Sequence, residues 1–527
     1  MVFFGKLGIG IFDVWRNNGP GFNVSLIYKL SELMLFFRQI NSILSDIMKK
    51  TLIAMTLLAT AATAGAKVEL GPAIGDNMVL QQNSSARIYG KAAPGSDISV
   101  TPSWNSITYK AKAGADGRWM LEVATPAGGF TPWEIVISDG DPLTLQNVLV
   151  GEVWLASGQS NMEMPLKGFP GCNVLDGYDE IAAADAKAGK IRFFTVPLTQ
   201  SYEPLDTVDA RWEVPSPETA PDFSATAWYF ANRLADVLQV PVGIVSDAYG
   251  GAKVESWTPR DILEQYADVS LKPEDVEQMV HYYRPMLMYN AMFNPVKNYT
   301  YRGIIWYQGC SNTSTYDTYA ERLANMVGRW RSEIALGDIP FYSVEIAPYQ
   351  YDNPVEQGRS AFLREAQHKA MDMISNSGII CINDLVEPFE RYNIHPGKKS
   401  GVGKRLADLA LNKTYGRTQF LAESPRYKSH RFEDGAAWVT IDSPSNGICR
   451  NYDIRGFEVA GPDKVFHAAD SVYFKWQTNE FRVSSKDVAD PVALRYCFRD
   501  FLPGTLYGGN YLPLIPFRTD NWTEPTD

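Results

Sequence analysis

The sequence predicts an α/β fold in which a parallel sheet over residues 148–414 is flanked on each side by a β domain. Two patterns carry this prediction. In the middle of the chain, nearly continuous apolar runs alternate with helical patterns, as in parallel strands that are covered on both faces. Towards both ends, short β runs are separated by turn residues about every 8–12 positions, which is typical of small β-sandwiches.

The central sheet is predicted from five apolar runs. These are Val148–Ala156, Val242–Ser246, Gly303–Tyr307, Phe341–Ile346 and Gly378–Ile382. Between them, apolar side chains recur at helical spacing in Thr318–Ile334 and Ser400–Asn412. The flanking β domains are expected at residues 67–147 and 415–527.

The first 66 residues contain a pattern typical of a secretory signal peptide. A basic start at Met48-Lys49-Lys50 precedes a short uncharged apolar stretch and a small-residue site, Ala64-Gly65-Ala66. We therefore expect a signal peptide at residues 48–66, an upstream extension at residues 1–47 from a mis-called start, and a periplasmic or extracellular mature chain. The alternative, a short transmembrane helix, is disfavoured because 14 residues are too few to cross a bilayer core of about 30 Å.

The charge and the cysteines limit the function classes. The chain has 49 Lys and Arg against 60 Asp and Glu, a net charge of −11, without a basic run, so a nucleic-acid partner is not expected. Closely spaced Cys and His pairs are absent from the sequence, which argues against a zinc site. Of the five cysteines, Cys449 and Cys497 could form a disulfide, while Cys310 and Cys381 are expected as buried thiols.

The candidate site is predicted from the residues directly after the buried strands, because ligands bind at the carboxyl ends of parallel strands. Ser160 comes after the first run, Gly250-Gly251 after the second, Asn312 after the third and His395 after the last. Each has an ordinary structural alternative: a helix cap, a turn or a loop side chain. Their joint placement favours acyl transfer, which needs a nucleophile, a base and donors for an oxyanion.

These residues resemble the SGNH (GDSL-type) hydrolase superfamily, and within it the sialate O-acetylesterase family of secreted carbohydrate esterases. The resemblance covers most of residues 67–522. It rests on these segments: Gly151 to Glu163, Gly250-Gly251 with Glu255 to Pro259, Trp306 to Gly309 with Asn312, and Ile394-His395-Pro396. It implies a flavodoxin-like sheet in the catalytic domain, an O-acetylated carbohydrate as substrate, and neither a cofactor nor a metal.

The resemblance also implies roles. Ser160 would be the nucleophile and His395 the general base, with an oxyanion hole formed by the N–H groups of Ser160 and Gly251 and by the Asn312 side chain. The mature protein would have no membrane span.

The sequence departs from the family pattern at two places. Cys310 stands where the family commonly has Glu. The superfamily usually has an Asp two or three residues before the histidine, and here these positions are Asn393 and Tyr392. Either a displaced acid (Asp384, Glu387 or Glu390) orients the imidazole, or the enzyme uses a Ser–His dyad. Two further alternatives remain: deacetylation of xylan or another glycan, and a non-catalytic glycan-binding relative.

Overall fold

The computed structural model describes residues 24–61, 68–445, 447–449 and 453–523. By its internal contacts the chain divides into two units, Met1–Lys67 and Val68–Asp527. In the first unit the described residues form one helix, α1 (Val24–Ala61). The expected signal peptide lies partly in α1, and its residues 62–66 lie outside the described residues. Within the described part of the chain, no helix is both long enough and apolar enough to cross a membrane.

The second unit contains all the remaining elements. Its N-terminal strands are β1 (Glu69–Leu70), β2 (Val79–Gln81), β3 (Ser85–Lys91), β4 (Asp97–Pro102), β5 (Tyr109–Lys112), β6 (Arg118–Ala124) and β7 (Gly129–Ser138). Its central strands are β8 (Pro142–Gly158), β9 (Ile191–Thr195), β10 (Trp212–Glu213), β11 (Val242–Ala248), β12 (Gly303–Tyr307), β13 (Phe341–Val344) and β14 (Ser377–Ile380). Its C-terminal strands are β15 (Arg426–Glu433), β16 (Ala436–Asp442), β17 (Ile448–Cys449), β18 (Phe457–Ala460), β19 (Phe466–Ala468), β20 (Ser471–Lys475), β21 (Glu480–Ser484), β22 (Ala493–Tyr496), β23 (Tyr507–Gly508) and β24 (Phe517–Arg518).

The α-helices of this unit belong to its central part. They are α2 (Ser160–Glu163), α3 (Gly177–Ala182), α4 (Ala225–Leu238), α5 (Arg260–Leu263), α6 (Pro273–Gln278), α7 (Asn294–Val296), α8 (Tyr316–Ile334), α9 (Arg359–Met373) and α10 (Lys399–Lys413). Short 3₁₀ segments occur between them, among them Val254–Trp257, His281–Tyr283 and Cys310–Thr315.

The protein is a mixed α/β structure with several sheets. In the central sheet the strands lie in the order β10-β9-β11-β8-β12-β13-β14. All neighbours are parallel except β10, which pairs antiparallel with β9. The five strands predicted from the sequence are all present in this sheet. The strand β9 was not predicted, because Arg192 interrupts its short apolar run and reads as a surface residue, although it is buried.

Helices cover both faces of the central sheet. Alternate side chains of β8 point to opposite faces, so Leu155 joins the core formed with α8 and α9, whereas Trp154 joins the core formed with α4 and α10. The sequence is apolar at successive positions because each strand is buried on both sides. This covering leaves the strand ends as the place where polar side chains can gather.

The two flanking β regions differ in how they relate to the central sheet. In the N-terminal region β1-β3-β6 form one sheet, while β4, β5 and β7 extend the central sheet through β8. In the C-terminal region the two main sheets are β15-β16-β21-β20 and β19-β18-β22-β24, and side chains from both form one apolar cluster that includes Val439, Val459 and Leu494.

Strand β8 is shared between two regions. Its first part pairs with β7 and β2, and its last part, from Glu152 to Gly158, pairs with β11 and β12. The strand has 17 residues and passes through the position 147/148 at which the sequence suggests a domain boundary.

The strand ends at a glycine that no other residue can replace without movement. Gly158 has a φ of +138°, and a Cβ atom there would lie 2.2 Å from the carbonyl oxygen of Tyr307 on β12. The backbone of β12 cannot move without disturbing the sheet, so the close approach requires glycine.

We expect Gly158→Ala to lower the free energy of unfolding by at least about 1–3 kcal/mol, the cost of the backbone conformation alone. Denaturant titration would measure the loss. Gly95→Ala is the matched control, because Gly95 also has a positive φ (+80°) but a Cβ there would meet nothing within 4 Å. Equal losses in the two variants would contradict the steric argument.

Candidate active site

Ser160 lies at the first position of α2, directly beyond the carboxyl end of β8. Two hydrogen bonds of Gln159 fix the turn between them to the end of β12 and to the loop that follows it. The Gln159 N–H donates to the Tyr307 carbonyl (2.9 Å), and Gln159 Oε1 accepts from the Gly309 N–H (2.7 Å). The side chain of Gln159 is buried. The hydroxyl is therefore presented from a fixed turn in the middle of the sheet edge.

His395 lies in the loop before α10, and its ring reaches the same edge. Its Nε2 atom is 2.8 Å from the Ser160 hydroxyl oxygen, and its ring contacts the ring of Phe169 edge-on, with a 5.2 Å distance between centroids. Burial, and second the charge of Lys399, lower the pKa of His395 to about 4. At neutral pH the imidazole is thus uncharged, the form that can accept the serine proton.

The structure does not bring the first two candidate acids to the imidazole. The carboxylate of Asp384 accepts two hydrogen bonds from the guanidinium of Arg405, both 2.7 Å long. Glu387 forms an ion pair with Lys398. Both carboxylates are therefore occupied by cations, and neither hydrogen-bonds to His395.

The third candidate, Glu390, organises the histidine loop through its backbone. Its two oxygens accept from the N–H groups of Gly397 (2.8 Å) and Glu387 (2.9 Å). Within the described residues, no carboxylate is hydrogen-bonded to the His395 ring. The loop is further fixed by the side chain of Asn393, which accepts from the His395 N–H (3.0 Å).

The glycine pair lies beside the serine. A Cβ atom on Gly250 would lie 3.6 Å from the Cβ of Ser160, and the Gly250 N–H donates to the carboxylate of Glu163. Gly251 has a φ of +75° and lies against the ring of Tyr282, which a Cβ would approach to 2.5 Å. Among the described residues, the N–H groups of Ser160 and Gly251 donate to no other protein group. Both remain available for an oxyanion.

Asn312 differs from the expectation. Its side chain is fully buried, and its Nδ2 atom already donates to Glu255 (2.9 Å) and Thr315 (3.2 Å). Its Oδ1 atom accepts from Val254 N–H (3.0 Å) and from Gln308 (2.7 Å). Both amide hydrogens are thus taken, so the amide as placed offers no donor to an oxyanion. The physical reason is the buried carboxylate of Glu255, which needs donors of its own.

The cysteines are all free thiols, so Cys449 and Cys497 are not joined. Cys310, at the position where the family pattern has Glu, is buried, and burial raises its pKa to about 11. The side chain there is therefore uncharged. Cys381 is buried as well, as predicted.

Two residues of the site were missed by the sequence reasoning. Asn161 and Lys399 are both fully buried and are hydrogen-bonded to each other (2.6 Å) beside the Ser160–His395 pair. Asn161 stands next to Ser160 in the matched segment, and that adjacency was the available signal. Lys399 carried no signal, because a lysine at the start of a helix normally reads as solvent-exposed.

Comparisons with known proteins identify the family. The model of a family described as "SASA: Carbohydrate esterase, sialic acid-specific acetylesterase" matches residues 150–412, a span that contains Ser160 and His395. The solved structure of a carbohydrate acetylesterase from Xanthomonas citri, XAC1771, is 31% identical and superposes with a TM-score of 0.76 over 86% of this chain and 100% of that chain. This chain belongs to that carbohydrate esterase family.

Curated relatives point to the same family. The sialate O-acetylesterase of Mus musculus is 27% identical over 71% of this chain and 78% of its own length. That of Homo sapiens is 26% identical over 69% of this chain and 74% of its own length. The protein is a carbohydrate esterase, a carboxylic-ester hydrolase, which disfavours the non-catalytic alternative.

The low pKa of His395 predicts an acid-tolerant base. A base works only when it is unprotonated, so Ser160 should still react at pH 5 and lose its reactivity as the pH drops through about 4. The rate at which an organophosphonate labels Ser160 between pH 3 and 8 would measure this. Recovery of the full rate after return to pH 7 controls for acid unfolding. A labelling rate that has already fallen to the background at pH 5 would contradict the burial argument.

Proposed function

We propose that this enzyme removes O-acetyl groups from sialic acid or related glycans through an acetyl-serine intermediate. The observation that carries the mechanism is the 2.8 Å contact between the Ser160 hydroxyl and a neutral His395. The relatives named as sialate O-acetylesterases favour the sialate substrate. Deacetylation of xylan or another glycan, on the same site with a different pocket, is the alternative.

In the first half of the reaction, Ser160 Oγ attacks the acetyl carbonyl while His395 takes the serine proton. The carbonyl oxygen becomes an oxyanion, which the N–H groups of Ser160 and Gly251 stabilise. The intermediate collapses as His395 gives its proton to the sugar oxygen, which leaves as the hydroxyl group. The acetyl group is then bound to Ser160 as an ester.

In the second half, water replaces the sugar. His395 takes a proton from the water molecule, which attacks the acetyl-serine carbonyl through a second oxyanion in the same position. His395 returns the proton to Ser160 Oγ, and acetate leaves. No carboxylate is needed to hold a proton at any step, so the dyad accounts for the chemistry.

Asn312 has an indirect part in this scheme. By accepting from Val254 and Gln308 it fixes the segment after the glycine pair against the loop after β12. It therefore supports the backbone around Gly251 and does not itself donate to the oxyanion.

We also propose the finer architecture. When the outer strands β9 and β10 are left aside, the five inner strands β8, β11, β12, β13 and β14 are arranged as 2-1-3-4-5. This is the order of flavodoxin-like sheets and supports an SGNH hydrolase domain at residues 148–414. The paired C-terminal sheets around one apolar cluster support a β-sandwich at residues 415–527, and residues 67–147 would form the N-terminal counterpart. The signal-peptide pattern at residues 48–66 supports export to the periplasm or beyond.

We expect Ser160→Ala to lose about 10⁶-fold in kcat, because the nucleophile is removed. Acetate release from O-acetylated sialic acid and from acetylated xylan would measure this and would also separate the two substrate classes. Ser157→Ala is the matched control, since Ser157 is a buried serine three positions away whose hydroxyl has no hydrogen-bond partner among the described residues. Acetate release that survives in Ser160→Ala would refute the mechanism, and preference for xylan would refute the substrate.

A further inference from the structure

The imidazole of His395 has no carboxylate partner among the described residues, so other groups must hold it at the serine. Lys399, in the first turn of α10, is buried next to the loop that carries His395. Its side chain is 0% exposed, and its Nζ atom donates to Asn161 Oδ1 (2.6 Å) and to the carbonyl of Pro396 (2.9 Å). The first acceptor belongs to the residue after the nucleophile, and the second to the residue after the base.

Asn161 completes the connection on the other side of the histidine. Its Nδ2 atom donates to the carbonyl of Ile394 (2.9 Å). The two residues that flank His395 are therefore both tied to Asn161, one directly and one through Lys399. Since Asn161 is the next residue after Ser160 in α2, these three hydrogen bonds fix the histidine loop relative to the nucleophile.

We propose that Lys399 is a positioning residue of the esterase, which clamps the serine helix to the histidine loop and so replaces the orienting carboxylate of a Ser–His–Asp triad. The inference rests on the proposed function, because it assumes that Ser160 and His395 are the reacting pair. In a Ser–His–Asp triad an aspartate hydrogen-bonded to the imidazole holds the ring in place. Here a buried lysine would do so through the backbone on one side of the histidine.

The surroundings of Lys399 determine how it responds to pH. The carboxylate of Glu390 favours its charge, and the ring of Tyr307 lies 5.9 Å from Nζ. Burial outweighs them and lowers the pKa of Lys399 to about 7. The charge of Lys399 in turn lowers the pKa of His395.

When Lys399 loses a proton, its hydrogen bonds to Asn161 and Pro396 remain, but its charge no longer repels a protonated His395. A neutral amine still has two hydrogens, one for Asn161 and one for Pro396, so both hydrogen bonds survive. The imidazolium that forms during catalysis then no longer faces a cation, and His395 becomes a stronger base. The value of kcat/KM should therefore rise in two steps, one through pH about 4 and a second through pH about 7.

The experiment compares full-length wild type, Lys399→Met, Lys399→Arg and the control Lys404→Met, which removes an exposed lysine from the same helix. Acetate release gives kcat and KM between pH 3 and 9, and thermal unfolding reports folding. In Lys399→Met we expect kcat to fall about 100-fold with little change in KM, as for a misplaced reacting group, and the step near pH 7 to vanish. In Lys399→Arg part of kcat should return, but without that step, because a guanidinium does not titrate there.

The result that overturns the proposal is a Lys399→Met enzyme with the kcat and pH profile of wild type. If neither Lys399 variant folds, Asn161→Ala decides, because it removes the partner that Lys399 and Ile394 share. A fall in kcat of about 100-fold with little change in KM supports the proposal, and wild-type kcat and KM overturn it. Failure of the proposed function looks different: wild type would then release no acetate, or Ser160→Ala would release as much. A Lys404→Met enzyme that loses kcat as far as Lys399→Met also overturns it.

Discussion

The hydrogen bond between Ser160 and His395 joins residues 235 positions apart, and most of the fold serves to make it. Strand β8 ends directly before the serine, and the loop after β14 leads to the histidine. Because β8, β12, β13 and β14 are parallel, both segments emerge at the same edge of the sheet. Helices on both faces keep the strands dry, so the polar groups concentrate at that edge.

Burial decides the chemistry of this edge as much as proximity does. It lowers the pKa of His395 and of Lys399, so both groups lose their protons more readily than in water. At neutral pH an uncharged imidazole therefore lies beside the Ser160 hydroxyl. The same low polarity obliges buried carboxylates to find donors. Glu255 takes both an arginine and the amide of Asn312, and Asp384 takes Arg405. Both carboxylates are thus paired with other groups, and neither hydrogen-bonds to the His395 ring.

The sequence was sufficient for the parts of the fold that depend on local pattern. The five inner strands, the helices around Thr318 and Ser400, and the joint placement of Ser160 and His395 were all predictable from apolar runs and from the residues directly after them. Residues whose partners are distant in the chain could not be foreseen. The Asn312 amide donates to Glu255, 57 positions earlier, and the buried Lys399 donates to Asn161, 238 positions earlier. No local pattern records either contact.

Strand β8 has a consequence for any attempt to shorten this protein. Its first part is hydrogen-bonded to β7 and β2, and its last residue, Gly158, leads into the turn before Ser160. A fragment that started at Val148 would cut the strand within its run and strip off both partners. The bare backbone would then be a template for pairing between copies. The N-terminal strands β2 and β7 therefore cover backbone of the same strand that leads to Ser160.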